Sequence, residues 1–222
     1  MKNDNKIFLL ILVYLSTNLY AQEMITDIDG NTYGTVKIGE QVWMNENLRT
    51  TKYANGDTIS TTCPITLDIS DEITPKYQWT YNGDENYAKE YGRLYTWYTV
   101  TDSRKICPLG WHVPTMKEWK TLFEYLGGGN IAANKLKEEG EIHWEAPNKG
   151  ANNESGFTAL PAGSRWLYGK FTQLGKFGHY WAFDEQYPGY AGRILLRFDD
   201  DTSKQIGSSD PKNGWPVRCL KD

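Results

Sequence analysis

Three cysteines limit the possible folds of this chain more than any other feature of its sequence. They are Cys63, Cys107 and Cys219, and they allow three different single disulfides. Cys107 and Cys219 lie in segments typical of ordered structure, Ile106–Pro108 and Val217–Leu220, whereas Cys63 lies in a threonine-rich, loop-like stretch. This context favours a Cys107–Cys219 bridge, with Cys63 left as a free thiol or an intermolecular partner. Closing a loop of that length is worth about 4–5 kcal/mol in the chain-entropy treatment.

The N-terminus has the parts of a secretory signal peptide. A polar start with two lysines, Met1–Lys6, precedes the nine-residue apolar run Ile7–Leu15, and a small residue follows at Ala21. Nine helical residues rise only about 14 Å, too little for a hydrocarbon core of about 30 Å. We therefore expect residues 1–21 to be removed and residues 22–222 to form one exported domain, in the periplasm, on the outer surface or secreted. Export is also the condition under which a disulfide persists.

Charge and length exclude several classes of protein. The formal net charge is −4 and the isoelectric point is near 5.5. An acidic chain without a basic patch lacks the electrostatic footprint for nucleic acid and for anionic lipid surfaces. About 200 residues suit a single domain with one large core.

Apolar periodicity predicts an α+β fold. Thr35–Ile38 and Gln41–Met44 alternate around a Gly39-Glu40 turn and indicate a hairpin. The segment from residue 50 to 86 is rich in Thr, Asp, Asn and Gly and is predicted to be irregular. Apolar residues three and four apart predict helices over Tyr87–Tyr98 and Thr115–Leu126, the second opened by a capping box of Thr115 and Glu118.

The second half of the chain reads as short strands separated by Gly, Asn and Pro. A weaker helix is predicted over Ala132–Glu139, and strand-sized segments follow at Phe157–Leu160, Tyr180–Phe183, Arg193–Phe198 and Val217–Leu220. Helices in the middle with strands at both ends favour two helices packed on short antiparallel sheets, with long irregular loops.

Five sequence blocks, taken in order, carry a resemblance to a known family. They are Thr26–Tyr33 with Val36–Gly39 and Gln41–Leu48, then Tyr91–Tyr98, Cys107–Thr115 with Glu118-Trp119, Asn153–Gly163, and Val217–Cys219. Together they resemble the Fibrobacter succinogenes major paralogous domain over essentially the whole mature chain. That family is similar to the C-type-lectin-like fold and to the sulfatase-modifying, formylglycine-generating group. The resemblance implies exported bacterial proteins, two helices packed on antiparallel sheets, and N- and C-terminal strands lying side by side.

No catalytic constellation stands out in the sequence. The formylglycine-generating relatives use a closely spaced cysteine pair, whereas the cysteines here are far apart. A hydrolase triad needs a histidine beside a nucleophile. Of the three histidines, His112 lies between Trp111 and Val113 and is interpreted as a packed imidazole, while His143 and His179 precede aromatic residues. We therefore expect a protein that is not an enzyme.

Two acidic segments are weak candidates for calcium. Asp27–Asn31 has its glycine at the fourth position of the loop and lacks the glutamate that an EF-hand needs at the twelfth, so a turn is favoured. Asp199, Asp200 and Asp201 follow an apolar strand, and their mutual repulsion needs solvent or a cation to screen it. A solvated turn is the preferred interpretation. No cofactor is expected, although Ca²⁺ at these three aspartates stays open.

Aromatic side chains in the second half suggest a binding surface. The candidates lie on glycine-rich loops between about residues 164 and 192, and they are Trp166, Tyr168, Trp181, Tyr187 and Tyr190. Flat rings on exposed loops are used to stack sugars and to anchor protein partners. We expect Trp166 and Trp181 to be half buried or more, and the three tyrosines to face water.

The first hypothesis is therefore an exported, non-catalytic binding or adhesion module that recognises a polysaccharide or a cell-surface partner. The alternative is a structural or assembly protein of the bacterial envelope that uses Cys63 for intermolecular pairing. A degenerate enzyme of the sulfatase-modifying type is the third hypothesis.

Overall fold

A computed structural model describes residues 24–200 and 206–222, without the side chain of Asn130. The predicted signal peptide and Asp201 lie outside these residues. Within the two described ranges, no helix has the length and apolar character to cross a membrane.

The described residues form small antiparallel sheets and short helices. The strands are β1 Ile25–Thr26, β2 Thr32–Tyr33, β3 Thr35–Ile38, β4 Gln41–Met44, β5 Gln78–Trp79, β6 Leu94–Tyr95, β7 Trp111–His112, β8 Ala162–Arg165, β9 Phe171–Leu174, β10 Phe177–Tyr187, β11 Tyr190–Arg197, β12 Ile206–Ser209 and β13 Leu220–Lys221. The helices are α1 Glu85–Tyr91, α2 Trp97–Val100, α3 Met116–Tyr125 and α4 Gly129–Leu136, with one 3₁₀ turn at Tyr81–Gly83. The fold class is thus α+β, as predicted.

A four-stranded sheet joins the two ends of the domain. Its order is β3-β4-β13-β7, and Leu220 of β13 pairs with Trp43 of β4 on one side and His112 of β7 on the other. The predicted hairpin is confirmed, with Thr35 opposite Met44 and Ile38 opposite Gln41. The C-terminal strand therefore lies beside a strand from the beginning of the domain, as the resemblance implies.

The predicted disulfide is confirmed beside this sheet. Cys107 and Cys219 are bonded, with 5.9 Å between their Cα atoms, while Cys63 is a free, exposed thiol. The buried side chains around the bridge include Met44, Trp111 and Val217. The bridge thus ties the middle of the chain to its tail inside a hydrophobic core.

A second core lies between α3 and the long β10–β11 hairpin. Trp43, Trp119, Phe157 and Tyr180 are fully buried there, and the centroids of Trp43 and Trp119 are 4.7 Å apart. The capping box at the start of α3 is confirmed: Thr115 accepts from the Glu118 amide, and the Glu118 carboxylate accepts from the Thr115 amide at 2.7 Å. This cap fixes the start of α3 where its apolar face meets the sheet.

The prediction of one helix over residues 87–98 is wrong. The chain leaves α1 at Gly92 with φ +78°, and a side chain at that position would approach the Asn47 Cβ atom to 2.6 Å. Leu94 and Tyr95 then pair with β5 before α2 begins. Aromatic residues at helical spacing are therefore divided between two short helices and a strand, because tertiary pairing overrides the local pattern.

The strand predicted over residues 157–160 is also wrong. Thr158 has φ +54°, and the carbonyl groups of Phe157 and Thr158 accept hydrogen bonds from the Arg218 guanidinium instead of a neighbouring strand. The helix predicted over residues 132–139 begins and ends earlier, at Gly129 and Leu136. Only the last residue of the segment predicted over 217–220 lies in β13.

Most of the resemblance blocks meet around Arg218. This fully buried side chain donates to Asn47 Oδ1 at 2.9 Å, to the Phe157 carbonyl and to the Thr158 carbonyl at 2.7 Å. Asn47 in turn donates to the Tyr91 carbonyl at 2.8 Å. Burial lowers the pKa of Arg218, and each of the three guanidinium nitrogens donates to one neutral oxygen. The residues that carry the resemblance therefore build the framework of the fold.

Candidate functional site

Two of the predicted site residues form a parallel ring pair at the β8–β9 turn. Trp166 and Tyr168 have ring planes within 3° of each other and centroids 6.3 Å apart. Tyr168 is 51% exposed, whereas Trp166 is half-buried and donates from its indole nitrogen to Thr172 Oγ1 at 2.7 Å. The expected burial of Trp166 and exposure of Tyr168 are thus found, and the two rings are stacked parallel to each other.

Backbone contacts hold this turn rigidly. The Trp166 amide donates to the Lys170 carbonyl at 2.9 Å, and the Leu167 amide donates to Asn213 Oδ1 at 2.9 Å. Gly169 has φ +87°, and a Cβ atom there would collide with the Thr66 carbonyl. The turn is therefore packed against the loop that contains Thr66, so the rings are positioned before any ligand arrives.

A buried arginine lies beneath the same turn. Arg165 is fully buried and donates to the carbonyls of Ile65 and Leu67, the latter at 2.6 Å. Its guanidinium carbon lies 4.0 Å from the Trp79 ring centroid. Burial lowers the pKa of Arg165 to about 10. The side chain remains cationic at neutral pH and ties the irregular segment before β5 to the strand that carries the ring pair.

Tyr187 and Tyr190 lie at the tip of the β10–β11 hairpin, opposite each other across a two-residue turn. They are 62% and 54% exposed, so the expectation that they face water is confirmed. The expectation of loops throughout residues 164–192 is wrong, because most of this segment belongs to β8–β11. The two tyrosines therefore stand on a regular hairpin rather than on a glycine-rich loop.

Trp181 takes a supporting role. Its side chain has no exposed surface, its centroid lies 4.2 Å from that of Trp215, and its indole nitrogen donates to the Tyr95 carbonyl at 2.7 Å. Trp181 was predicted to contact a ligand, and this prediction is wrong, because a ring without accessible surface cannot touch a ligand. It fixes β10 against the interior.

The ring pair and the hairpin tip are separate surfaces. Within the described residues, no ring contact joins Trp166 or Tyr168 to Tyr187 or Tyr190. The segment between Ser209 and Asn213 links them: Ser209 pairs with Ala191 of the hairpin, and Asn213 accepts from the Leu167 amide. The site predicted as one surface is therefore divided into two.

The acidic segment after β11 contains an ion pair. Arg197 donates to both carboxylate oxygens of Asp199 at 2.9 Å, and these bonds lower the pKa of Asp199. No group of three potential metal ligands occurs in the described part of the chain, which includes Asp199 and Asp200. The other acidic segment considered for calcium, Asp27–Asn31, is a turn. The Asp27 carboxylate accepts from the amides of Asp29 and Asn31 and from the Tyr33 hydroxyl.

The three histidines have acidic or amide partners. His112 bridges Asp222 at 2.7 Å and Glu118 at 3.0 Å, and His143 bridges Glu90 and Glu138, each at 2.8 Å. His179 is buried, stacks on Trp215 with 4.6 Å between centroids, and has its pKa lowered to about 3 by desolvation. Among the described residues, no hydrogen bond joins a histidine ring to a serine, threonine or cysteine side chain.

An apolar cleft beside the disulfide was not predicted from the sequence. It encloses about 300 Å³, and its walls include Val100, Ile106, Trp111, Val113 and Phe183. Phe183 is 46% exposed although it belongs to β10. These residues come from separate parts of the chain, so no local pattern reveals the cleft. A neighbouring cavity of about 370 Å³ shares Lys105, Ile106, Cys107 and Trp111 with it.

Fold and site together define a class of protein: a disulfide-bonded α+β domain of small antiparallel sheets that presents aromatic side chains on a turn and a hairpin. The chain belongs to the family described as the Fibrobacter succinogenes major domain, whose family model matches residues 36–221. Comparison with curated proteins and with solved structures gave no match. The family membership agrees with the resemblance found in the sequence blocks.

Proposed function

We propose that the protein is an exported, non-catalytic binding module with a C-type-lectin-like scaffold, and that it recognises a polysaccharide through Trp166 and Tyr168. The observation that carries the proposal is the parallel orientation of these two rings on a rigid turn. The apolar face of a sugar ring packs on the face of an aromatic ring, and the exposed ring of Tyr168, held parallel to Trp166, offers such a face.

Preorganisation supports the same function. The indole of Trp166 is held by Thr172, and Gly169 fits closely against Thr66. A ligand that binds here does not have to immobilise the turn, so less of the contact energy is lost to ordering. The pairing of β13 with β4 supports the C-type-lectin-like scaffold, because the resemblance implies adjacent terminal strands.

A glycan array with the purified protein tests the proposal. We expect retention on at least one polysaccharide, and Tyr168→Ala should weaken it about 30-fold if the ring contributes about 2 kcal/mol as a binding hot spot. Tyr125→Ala is the matched control, because Tyr125 is an exposed tyrosine on α3, outside the ring pair. Absence of retention on every glycan, or equal weakening by both substitutions, would contradict the proposal.

The second candidate is recognition or assembly at the bacterial surface through protein contacts. It is favoured by the exposed thiol of Cys63 and by the exposed rings of Tyr187 and Tyr190. Non-reducing electrophoresis of envelope fractions distinguishes covalent assembly through Cys63 from non-covalent recognition. A disulfide-linked species that Cys63→Ser removes supports covalent assembly, whereas a strictly monomeric band with one free thiol excludes it.

A further inference from the structure

The cleft beside the disulfide is lined by residues that do not belong to the proposed polysaccharide site. Its walls are apolar side chains from α2, the segment before Cys107, β7 and β10. A volume of about 300 Å³ is at the small end of the range for ligand sites. Phe183 closes one side with a ring that is nearly half exposed. An enclosure of this size suits an apolar group of a few carbons.

The charged side chains at the rim of the cleft determine which polar group such a ligand should carry. Asp102 lies in the cleft wall but is paired with Lys76 at 2.7 Å and Arg104 at 2.9 Å, which keep its pKa low. Lys105 is exposed, and its ammonium has no ion-pair partner among the described residues. His112, which also lines the cleft, is held between Asp222 and Glu118. Among the described residues that line the cleft, Lys105 is therefore the cationic side chain without an ion pair.

The backbone presents Lys105 from a fixed position. Its amide donates to the Asp102 carbonyl at 2.9 Å, and its carbonyl accepts from the Ala54 amide at 2.8 Å. The same residue also lines the neighbouring cavity, so Lys105 belongs to the wall that the two cavities share. An anionic group placed there would leave the apolar part of the ligand in the cleft.

We propose that this cleft binds a monocarboxylic acid with an apolar body, seated against Trp111, Val113 and Phe183 with its carboxylate at Lys105. The site is independent of the polysaccharide surface, so either can fail without the other. The carboxylate gains an exposed ion pair, worth up to about fivefold in affinity. Each methylene buried in the cleft adds about fourfold, which is the equivalent of about 0.8 kcal/mol.

Binding of matched eight-carbon ligands tests the proposal on the oxidised protein of residues 22–222. Octanoate, 1-octanol and octylammonium are titrated below their aggregation limits, and the Trp111 indole signal is followed by NMR. We expect affinity to fall in that order, and hexanoate to bind more weakly than octanoate. Phe183→Ser should weaken all three ligands, because it opens the apolar wall without touching the charge.

Reversing the charge at position 105 tests whether the Lys105 ammonium binds the carboxylate of the ligand. Lys105→Glu should invert the order so that octylammonium binds more tightly than octanoate. Lys120→Glu is the control. It reverses the charge of an exposed lysine on α3 and should leave the order unchanged. Absence of any change at Trp111 with the three ligands, equal affinities in the unaltered protein, or an order that survives Lys105→Glu would each overturn the proposal.

Discussion

Removing the Cys107–Cys219 bridge has an effect whose size follows from the position of the two residues in the chain. They are 112 residues apart, and release of a loop of that length lets the unfolded chain gain entropy worth about 4–5 kcal/mol. Small domains are stable by only about 5–15 kcal/mol in total. We therefore expect Cys107→Ala with Cys219→Ala to remove about a quarter or more of the free energy of unfolding.

Urea unfolding followed by tryptophan fluorescence measures this loss. The background should carry Cys63→Ser, so that the free thiol cannot form a substitute bridge. We also expect a steeper dependence on urea in the double variant, because an uncrosslinked chain exposes more surface when it unfolds. Cys63→Ser alone should change stability by less than about 0.5 kcal/mol, since the residue is exposed. A loss below about 1 kcal/mol in the double variant would refute the reasoning.

Three further predictions concern single residues. Arg218→Ala should cost about 3–5 kcal/mol of unfolding free energy in chemical denaturation, because it empties a buried site and leaves three acceptors without donors. His179 has a folded-state pKa of about 3 against about 6.5 when unfolded, so only the unfolded state gains its proton as the pH falls between these values. Stability should decrease there by about 1.4 kcal/mol per pH unit, and His179→Phe should reduce that slope in acid titrations. Gly169→Ala should disrupt the ring-pair turn and abolish glycan retention, whereas Gly189→Ala, also at positive φ but with open space around it, should preserve retention.

Each of these results has a contradicting outcome. A loss below about 1 kcal/mol for Arg218→Ala would mean that water replaces the guanidinium at its acceptors. An unchanged acid slope in His179→Phe would show that other groups control acid unfolding. Equal glycan retention in the two glycine variants would show that the fit of Gly169 against Thr66 does not position the rings.

Elements governed by local chemistry could be predicted from the sequence. The capping box of Thr115 and Glu118 locates the start of α3, because both partners lie within one turn. The Gly39-Glu40 turn sets the register of the hairpin for the same reason. The disulfide was inferred from the context of Cys107 and Cys219, which proved to be buried in a core.

Features that depend on distant contacts could not be predicted. Phe157 and Thr158 have the composition of a strand, yet their carbonyl groups are taken by Arg218 from the end of the chain. The exposure of Tyr168 follows from its place at the tip of a turn, whereas the complete burial of Trp181 depends on its packing against Trp215. Residue type alone does not distinguish a ring on the surface from one beneath it.

The response of the nine tryptophan indoles to a bound polysaccharide tests the central claim most directly. Six of these side chains, at positions 43, 79, 119, 144, 181 and 215, are fully buried. When the polysaccharide that the array selects is added, the NMR signal of the Trp166 indole should shift while the signals of those six indoles do not. Tyr168→Ala should suppress the shift at Trp166. A bound polysaccharide that leaves Trp166 unperturbed would contradict recognition through the ring pair.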